Sequence, residues 1–236
     1  MTHPYRDLDD FQFWHRAMTE PAPGHIDPVV RCKVIHKNEK VATIGSCFAQ
    51  HLGFNIAMSG FNYFVAETCA HDLPPAVAKS RNYGVFSARY GNVYTVKQAV
   101  QLFDRAFGQF PSGEHIWNRG SKFVDAFRPQ IEPEGFSAVE ELVSSRSTHL
   151  DCVRRVFEEC DWLIFTLGLT EAWRSTRDGA VFPLAPGVAG GAFNANECEF
   201  VNFTVREVSD DLSALIERLH AVNPTAQVLL TLSPYH

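Results

Sequence analysis

The chain has 236 residues, of which 45% are hydrophobic, and a formal net charge of -6. This length and apolar content suffice to bury the core of a globular domain, and the acidic balance argues against a nucleic-acid surface, which would carry a basic stripe. The N-terminus is acidic where a signal peptide has a basic start, and no apolar stretch approaches the roughly 20 residues of a membrane-spanning helix. We therefore expect a cytoplasmic protein without a membrane span.

The first residues differ in composition from the rest of the chain. Residues 1–38 are rich in proline, histidine and aromatics and show no helix or strand periodicity. We interpret them as an arm packed on a single α/β domain, residues 39–236, with Phe11, Phe13 and Trp14 as anchors.

A strand–turn–helix pattern opens the domain. A short apolar run at residues 40–44 ends in Gly45, and apolar residues then recur at four-residue spacing up to Gly60, which predicts a helix with a glycine C-cap. Residues 61–65 follow as a second strand. The opening is therefore interpreted as a β-α-β unit of a parallel sheet.

Three residue pairs are spaced as capping boxes, in which an N-cap hydroxyl and a side chain three positions later satisfy the start of a helix. They are Thr95 with Gln98, Ser137 with Glu140, and Thr204 with Glu207. Each pair precedes a stretch of helical apolar spacing, so each predicts a helix.

Later segments complete the predicted architecture. The apolar run at residues 162–167 is typical of a central parallel strand covered on both faces, and residues 227–232 are predicted to form a further strand. The Gly- and Pro-rich segment between Thr176 and Asn202 is expected to be a long loop, suited to a lid. The elements predict an α/β fold, a three-layer α/β/α sandwich with a mainly parallel, flavodoxin-like sheet. Because the chain stops four residues after the last run, we expect a final strand and helix to be missing from it.

Six cysteines are scattered without CxxC spacing. This favours neither a zinc site nor a disulfide framework in a reducing compartment, so we expect no bound metal and interpret most of them as small hydrophobes. Cys47 is different, because it follows Gly45 at the carboxyl end of a strand, where open parallel sheets collect ligands. Unpaired N–H groups of a helix starting near Ala49 would stabilise a thiolate or hold an oxyanion.

The turn offers two candidate nucleophiles. Cys47 is the stronger one, with tight packing of a buried thiol as the alternative interpretation. Ser46 is interpreted as an N-cap hydroxyl that satisfies the start of the helix, with catalysis as the alternative.

The sequence Ile-Gly-Ser-Cys-Phe-Ala at residues 44–49 resembles the signature of the GSCFA domain family, a group similar to the SGNH/GDSL hydrolases. The resemblance runs from about Lys40 and takes in four further segments, residues 61–64, 90–95, 166–173 and 231–234. It implies the fold of that superfamily and ester-hydrolase or acyltransferase chemistry of the GDSL type.

The resemblance also implies roles for individual residues. Cys47 falls at the nucleophile of the SGNH pattern, Gly91 at the glycine that lends a backbone N–H to the oxyanion hole, and Thr170 at the oxyanion asparagine. Glu171 and Trp173 are candidates to line the pocket, with structural roles at the start of a helix as the alternative interpretation. The expected pocket residues are Gly45, Asn92 and Glu171.

The Asp-x-x-His pair that SGNH enzymes carry after the next strand has no counterpart in this chain. His236 is too early for that role. His51, His71 and His149 are interpreted as surface or helix-face residues, so the general base stays unassigned.

These features predict an acyl esterase or O-acyltransferase that forms a Cys47 thioester and acts on an O-acylated carbohydrate or a similar small-molecule ester. Similarity to a capsule-synthesis family with Gly-Asn-Cys-Gln at this turn suggests coenzyme A as an acyl donor, and no other cofactor is expected. One alternative is a non-catalytic module that binds a carbohydrate or a partner on the same fold, which the missing base and Thr170 favour. Another is a redox-sensing thiol, which needs a resolving cysteine such as Cys69. The sequence predicts no oligomeric state.

Overall fold

The computed structural model describes residues 5–13, 15–20, 33–69, 73–110, 113 and 115–232. The chain divides into two compact units, Met1–Ile35 and His36–His236. The smaller unit contains a 3-10 helix, Asp10–Gln12, and a π-helical turn, His15–Thr19. Trp14 lies outside the described residues, and the packing of residues 1–38 as an arm stays a prediction.

Five α-helices and eight strands lie within the described residues of the larger unit. In chain order they are β1 (Val41–Ile44), α1 (Cys47–Met58), α2 (Pro75–Ser80), α3 (Val96–Ala106), β2 (Ile116–Arg119), β3 (Lys122–Asp125), α4 (Val139–Glu159), β4 (Trp162–Leu167), β5 (Glu171–Ser175), β6 (Val181–Phe182), β7 (Cys198–Asn202), α5 (Val205–Val222) and β8 (Gln227–Leu232). None of the helices in the described part of the chain has both the length and the apolarity that a bilayer crossing needs.

A parallel sheet with the strand order β1-β4-β8 lies at the centre of this unit. Ile44 pairs with Phe165, and Leu167 pairs with Leu232, so the three strands end at the same edge. Nearly all side chains of β1 and β4 are buried, which explains their uninterrupted apolar sequence.

The predicted strand at residues 61–65 is reduced to a single parallel bridge between Tyr63 and Val41. The prediction of a full strand was wrong because the chain soon leaves β1. The Ala66 N–H donates to the Ser87 carbonyl, 2.7 Å away, instead of continuing the pairing. The bridge still lies on the side of β1 opposite to β4, so the order follows that of a flavodoxin-like sheet, whose ligands bind where the strand order reverses, here between β1 and β4.

Helices pack on both faces of the sheet. Helices α3, α4 and α5 pack against one another, and their core includes Ile44 and Phe165. Thr43 points to the opposite face and hydrogen-bonds the Tyr63 hydroxyl, whose ring lies against Gly53 of α1. The structure is thus a mixed α/β fold with a parallel three-stranded sheet, consistent with a three-layer α/β/α sandwich.

Two of the three predicted capping boxes are confirmed. Thr95 and Thr204 each accept a hydrogen bond from the N–H three residues later, and the side chain of that residue returns the bond. The third prediction was wrong, because α4 begins one residue later with Ala138 as its N-cap. The Ser137 hydroxyl instead accepts a hydrogen bond from Lys122 Nζ at 2.8 Å.

A second, antiparallel region follows β4. Strands β6, β5 and β7 form a three-stranded sheet, and β2 pairs with β3. Glu171 and Trp173 therefore begin a strand rather than a helix, and the predicted loop between Thr176 and Asn202 contains two short strands. The pairing of β5 with β7 joins segments more than 20 residues apart, which local sequence patterns do not encode.

Candidate active site

Gly45 shapes the turn between β1 and α1. Its φ angle is +149°, and a Cβ atom there would lie 2.9 Å from Thr166 Cβ and 3.0 Å from Ala49 Cβ. Any side chain would therefore push the end of β1 away from β4. The glycine lets the chain enter α1 directly at the carboxyl edge of the sheet.

Ser46 occupies the N-cap position of α1, yet its side chain makes no capping hydrogen bond. The predicted capping role of its hydroxyl is therefore wrong. Its backbone oxygen accepts from the Ala49 N–H at 3.0 Å, and the residue is 8% exposed. The hydroxyl is thus held at the turn without a role in the helix start.

Cys47 is the first residue of α1, two positions earlier than the predicted helix start near Ala49. The residue is exposed and forms no disulfide, so the alternative interpretation of Cys47 as a buried packing residue is wrong. The first N–H groups of a helix have no intrahelical acceptor, and here they belong to the residues at the thiol. An exposed sulfur atom and a set of N–H donors thus share one end of α1.

Two hydrogen bonds hold the segment at residues 90–94 against β1 and this turn. The Tyr90 hydroxyl donates to the Thr43 carbonyl, and the Val93 N–H donates to the Gly45 carbonyl at 2.9 Å. Gly91 lies between them with a φ angle of +69°, and a Cβ atom there would meet nothing within 4 Å. The backbone of Gly91 thus borders open space beside the turn.

A chain of hydrogen bonds crosses from α1 to this segment. Gln50 Nε2 donates to Asn92 Oδ1, and Asn92 Nδ2 donates to the Tyr94 hydroxyl, each over 3.0 Å. Burial raises the pKa of Tyr94, and the hydrogen bond from Asn92 lowers it, while the charge of a Cys47 thiolate raises it. Tyr94 therefore stays protonated at neutral pH and lies within the electrostatic reach of Cys47.

The loop after β4 approaches the same edge. The Leu169 N–H donates to the Tyr94 carbonyl at 2.9 Å. Thr170 comes next, and its hydroxyl donates to Asn202 Oδ1 at 2.7 Å, so its proton is already engaged within the fold. Glu171 is exposed at the start of β5, opposite Asn202.

The Gly- and Pro-rich loop borders the segment at Gly91. Pro183 and Leu184 line a small cleft together with Gly91, Asn92 and Tyr94. The structure therefore brings Gly45, Cys47, Gly91 and Asn92 to one edge of the sheet, with residues 183–184 beside them.

No histidine forms a hydrogen bond or ion pair with Cys47 in the part of the chain that the structure describes. His51 is exposed on α1, while His71 and His236 lie outside the described residues. His149 is a buried residue of α4, not a surface residue, and its Nδ1 lies 2.7 Å from Glu67 Oε2. Burial lowers the pKa of His149 to about 4, so this histidine is neutral at pH 7.

Sequence reasoning missed Gln50 and Tyr94. The signal for Gln50 was its position three residues after Cys47, which places both on one side of a helix. The signal for Tyr94 was its place two residues after Asn92, in a segment already singled out. Neither sequence feature predicts which residue the side chain contacts, because the hydrogen bonds join α1 to a segment about 40 residues away.

Comparison with known proteins places these features in one family. Searches of the curated proteins and of the solved structures found no match for this chain. The GSCFA family model matches residues 40–236, which include the turn at Cys47, the segment around Gly91 and the loop after β4. Since the match covers most of the chain, this protein belongs to the GSCFA family.

Proposed function

We propose that this protein transfers acyl groups through a thioester on Cys47, as an esterase or an O-acyltransferase acting on an O-acylated carbohydrate or a similar ester. The observation that carries the proposal is the exposed Cys47 thiol at the first turn of α1, at the carboxyl end of β1. This is the region of an open parallel sheet where ligands bind.

The chemistry has two steps. The Cys47 sulfur attacks the carbonyl carbon of the ester, the carbon–oxygen bond to the alcohol breaks, and the alcohol leaves with a proton. Water or the hydroxyl of an acceptor then attacks the thioester, the carbon–sulfur bond breaks, and the proton of the attacking group passes to the sulfur and restores the thiol. Hydrolysis and transfer differ only in which oxygen performs the second attack.

Both steps pass through a tetrahedral oxyanion, which needs N–H donors. The start of α1 supplies the N–H groups of Cys47 and Phe48. The Gly91 N–H is a further candidate, since it forms no backbone hydrogen bond among the described residues. The Thr170 hydroxyl is a weaker candidate because Asn202 already accepts its proton.

A second function has its own support. The groups linked across this site, Gln50, Asn92 and Tyr94, are neutral hydrogen-bonding groups at pH 7 rather than a base with a low pKa. Such groups suit recognition of hydroxyl and carbonyl oxygens. The same edge of the sheet would then bind a carbohydrate or a partner without catalysing a reaction on it.

Trapping the acyl-enzyme tests the first proposal. Wild type, Cys47→Ala and Ser46→Ala are incubated with p-nitrophenyl acetate or acetyl-coenzyme A, denatured and mapped by peptide mass spectrometry. We expect an acetyl group on Cys47 in wild type and none at the turn in Cys47→Ala. Cys69→Ala is the matched control, because it removes a half-buried thiol outside the turn and should behave as wild type.

Equal turnover by wild type and Cys47→Ala would contradict the assignment of Cys47 as the nucleophile, whereas a wild type that neither turns over nor becomes acetylated would contradict the proposal and favour the binding function. If only Ser46→Ala lost activity, the turn would be catalytic with Ser46 as the nucleophile. Label transfer from acetyl-coenzyme A but not from the aryl ester would identify coenzyme A as the donor.

A further inference from the structure

A second cavity lies in the antiparallel region, and its floor is one face of the sheet β6-β5-β7. Ser175 is paired with Cys198, and Trp173 with Phe182, so these side chains point to the same face. Ser175, Phe182 and Cys198 line a cavity of about 420 Å³. That volume falls within the range of about 300–1,000 Å³ typical of small-molecule sites.

The cavity lining combines aromatic surface with hydrogen-bonding groups. Trp117 of β2 contributes to one wall; it is 9% exposed, and its ring lies against Gly191 and in T-shaped contact with Phe182 at 5.4 Å between centroids. Asn118 and Asn194 also line the cavity, and each amide can both donate and accept. The lining therefore offers an apolar face for C–H groups and polar atoms for hydroxyl groups.

Two opposite charges lie at the cavity and balance each other. Arg177 and Glu197 both line it and are both exposed. In the part of the chain that the structure describes, neither side chain forms an ion pair or a side-chain hydrogen bond. A guanidinium only donates and a carboxylate only accepts, so together they suit a neutral ligand whose groups do both.

The floor continues into an exposed aromatic surface. Phe200 lies on the same sheet face as Cys198, and it packs edge-on against Trp173 with 5.7 Å between ring centroids. Phe193, which lies between two lining residues in sequence, also packs edge-on against Trp173, with 5.4 Å between ring centroids. Phe193 and Phe200 are 53% and 52% exposed, and because both rings contact Trp173 they form one exposed aromatic patch rather than isolated surface residues.

We propose that this cavity is a glycan-binding site. A pyranose ring has an apolar C–H face for the exposed part of Trp117 and a rim of hydroxyl groups that match Arg177, Glu197 and the two asparagines. The exposed rings of Phe193 and Phe200 extend the site for a neighbouring sugar unit. None of the residues at the Cys47 turn lines the cavity, so sugar binding there does not depend on chemistry at Cys47.

Binding of neutral sugars to the whole chain tests the proposal. Methyl glycosides of glucose, galactose, mannose and N-acetylglucosamine are titrated at millimolar concentration and followed by ¹H–¹⁵N correlation spectra, including the indole N–H signals. We expect at least one sugar to shift the Trp117 indole signal. Cys47→Ala should bind equally well, which separates this proposal from the acyl-transfer proposal.

Variants at the cavity provide the second readout. Arg177→Gln and Glu197→Gln remove exposed charges and should each weaken binding about tenfold, because each loses a hydrogen bond to a charged group. Arg206→Gln and Glu217→Gln make the same changes at exposed positions of α5 and should leave binding unchanged. The proposal is overturned if no sugar shifts the Trp117 signal, if the cavity and α5 variants bind alike, or if inorganic phosphate competes at the same site.

Discussion

At Gly45 the backbone occupies a region that residues with side chains avoid, and a neighbouring strand leaves no room for one. The exposed thiol two positions later depends on this arrangement, since α1 starts only where the turn allows. Two effects therefore act at one residue: backbone strain and steric contact with Thr166. They can be separated, because Gly60 has a φ angle of +75° with nothing within 4 Å of an added Cβ atom.

Gly45→Ala should lower the free energy of unfolding by about 3 kcal/mol, since strain and overpacking add. Gly60→Ala should cost about 1 kcal/mol, from strain alone. Urea denaturation followed by circular dichroism measures both. Equal losses in the two variants would show that contact with Thr166 has no energetic weight.

At the scale of elements, the helices differ in whether a side chain accepts hydrogen bonds from the free N–H groups of the first turn. Thr95 and Thr204 cap α3 and α5, whereas Ser137 precedes α4 without capping it. A lost cap leaves helix N–H groups unpaired, while a lost surface hydroxyl does not.

Thr95→Ala and Thr204→Ala should each lower the free energy of unfolding by about 1 kcal/mol. Ser137→Ala should change it by less than about 0.5 kcal/mol, because only an exposed bond to Lys122 is lost. Thermal or urea unfolding of the three variants checks the order. A Ser137→Ala loss as large as that of Thr95→Ala would contradict the assigned start of α4.

A buried ion network joins β3 to α4. Asp125 accepts from Arg128 Nε and from Arg146 Nη2, both at 2.8 Å, and its side chain is fully buried. Burial raises the pKa of Asp125, but the positive charges of Arg128 and Arg146 outweigh that effect and lower it. The Asp125 carboxylate is thus ionised, and its negative charge compensates the buried positive charges of Arg128 and Arg146.

Asp125→Asn should lower the free energy of unfolding by about 3 kcal/mol or more, because arginine charges stay buried without their counterion. Glu199→Gln is the matched control, since Glu199 pairs with Arg174 at 2.7 Å on the surface, and it should cost less than about 1 kcal/mol. Chemical denaturation at pH 7 distinguishes the two. Similar costs would mean that the network is more hydrated than its burial implies.

At the scale of the whole molecule, the main core carries a titratable pair. His149 of α4 and Glu67 are both buried, and the pKa of His149 is lowered to about 4. An unfolded histidine has a pKa near 6.5, so the unfolded state binds more protons between these two values. Stability therefore rises with pH across that window and falls on acidification.

Wild type should lose about 2 kcal/mol of unfolding free energy between pH 7 and pH 5 from this histidine. His149→Gln keeps an N–H donor for Glu67 but does not titrate there, so its stability should fall less over the same range. Urea midpoints at the two pH values measure the difference. Parallel pH profiles for the two proteins would contradict the neutral, buried state of His149.

The local signals in the sequence were sufficient for much of the fold. Long apolar runs predicted β4 and β8. The spacing of Thr95 with Gln98 and of Thr204 with Glu207 predicted the starts of α3 and α5. Both kinds of pattern were sufficient because they act within a few residues. The turn at Gly45 and Cys47 was likewise predictable, since a glycine after a buried strand and before a helical pattern has a local geometric meaning. The sequence alone therefore determined the strands β1, β4 and β8, the presence of α1, α3, α4 and α5, and the position of the thiol, but not the strand order.

Tertiary structure decided the rest. Residues 61–65 form one bridge because Ala66 bonds to Ser87, and Ser137 caps nothing because Lys122 binds its hydroxyl. The hydrogen bonds from Gln50 through Asn92 to Tyr94, the pairing of β5 with β7 and the cavity on the face of that sheet were likewise decided by tertiary structure. Each depends on partners far apart in sequence, and the energy of such contacts is set by which segments the folded chain brings together.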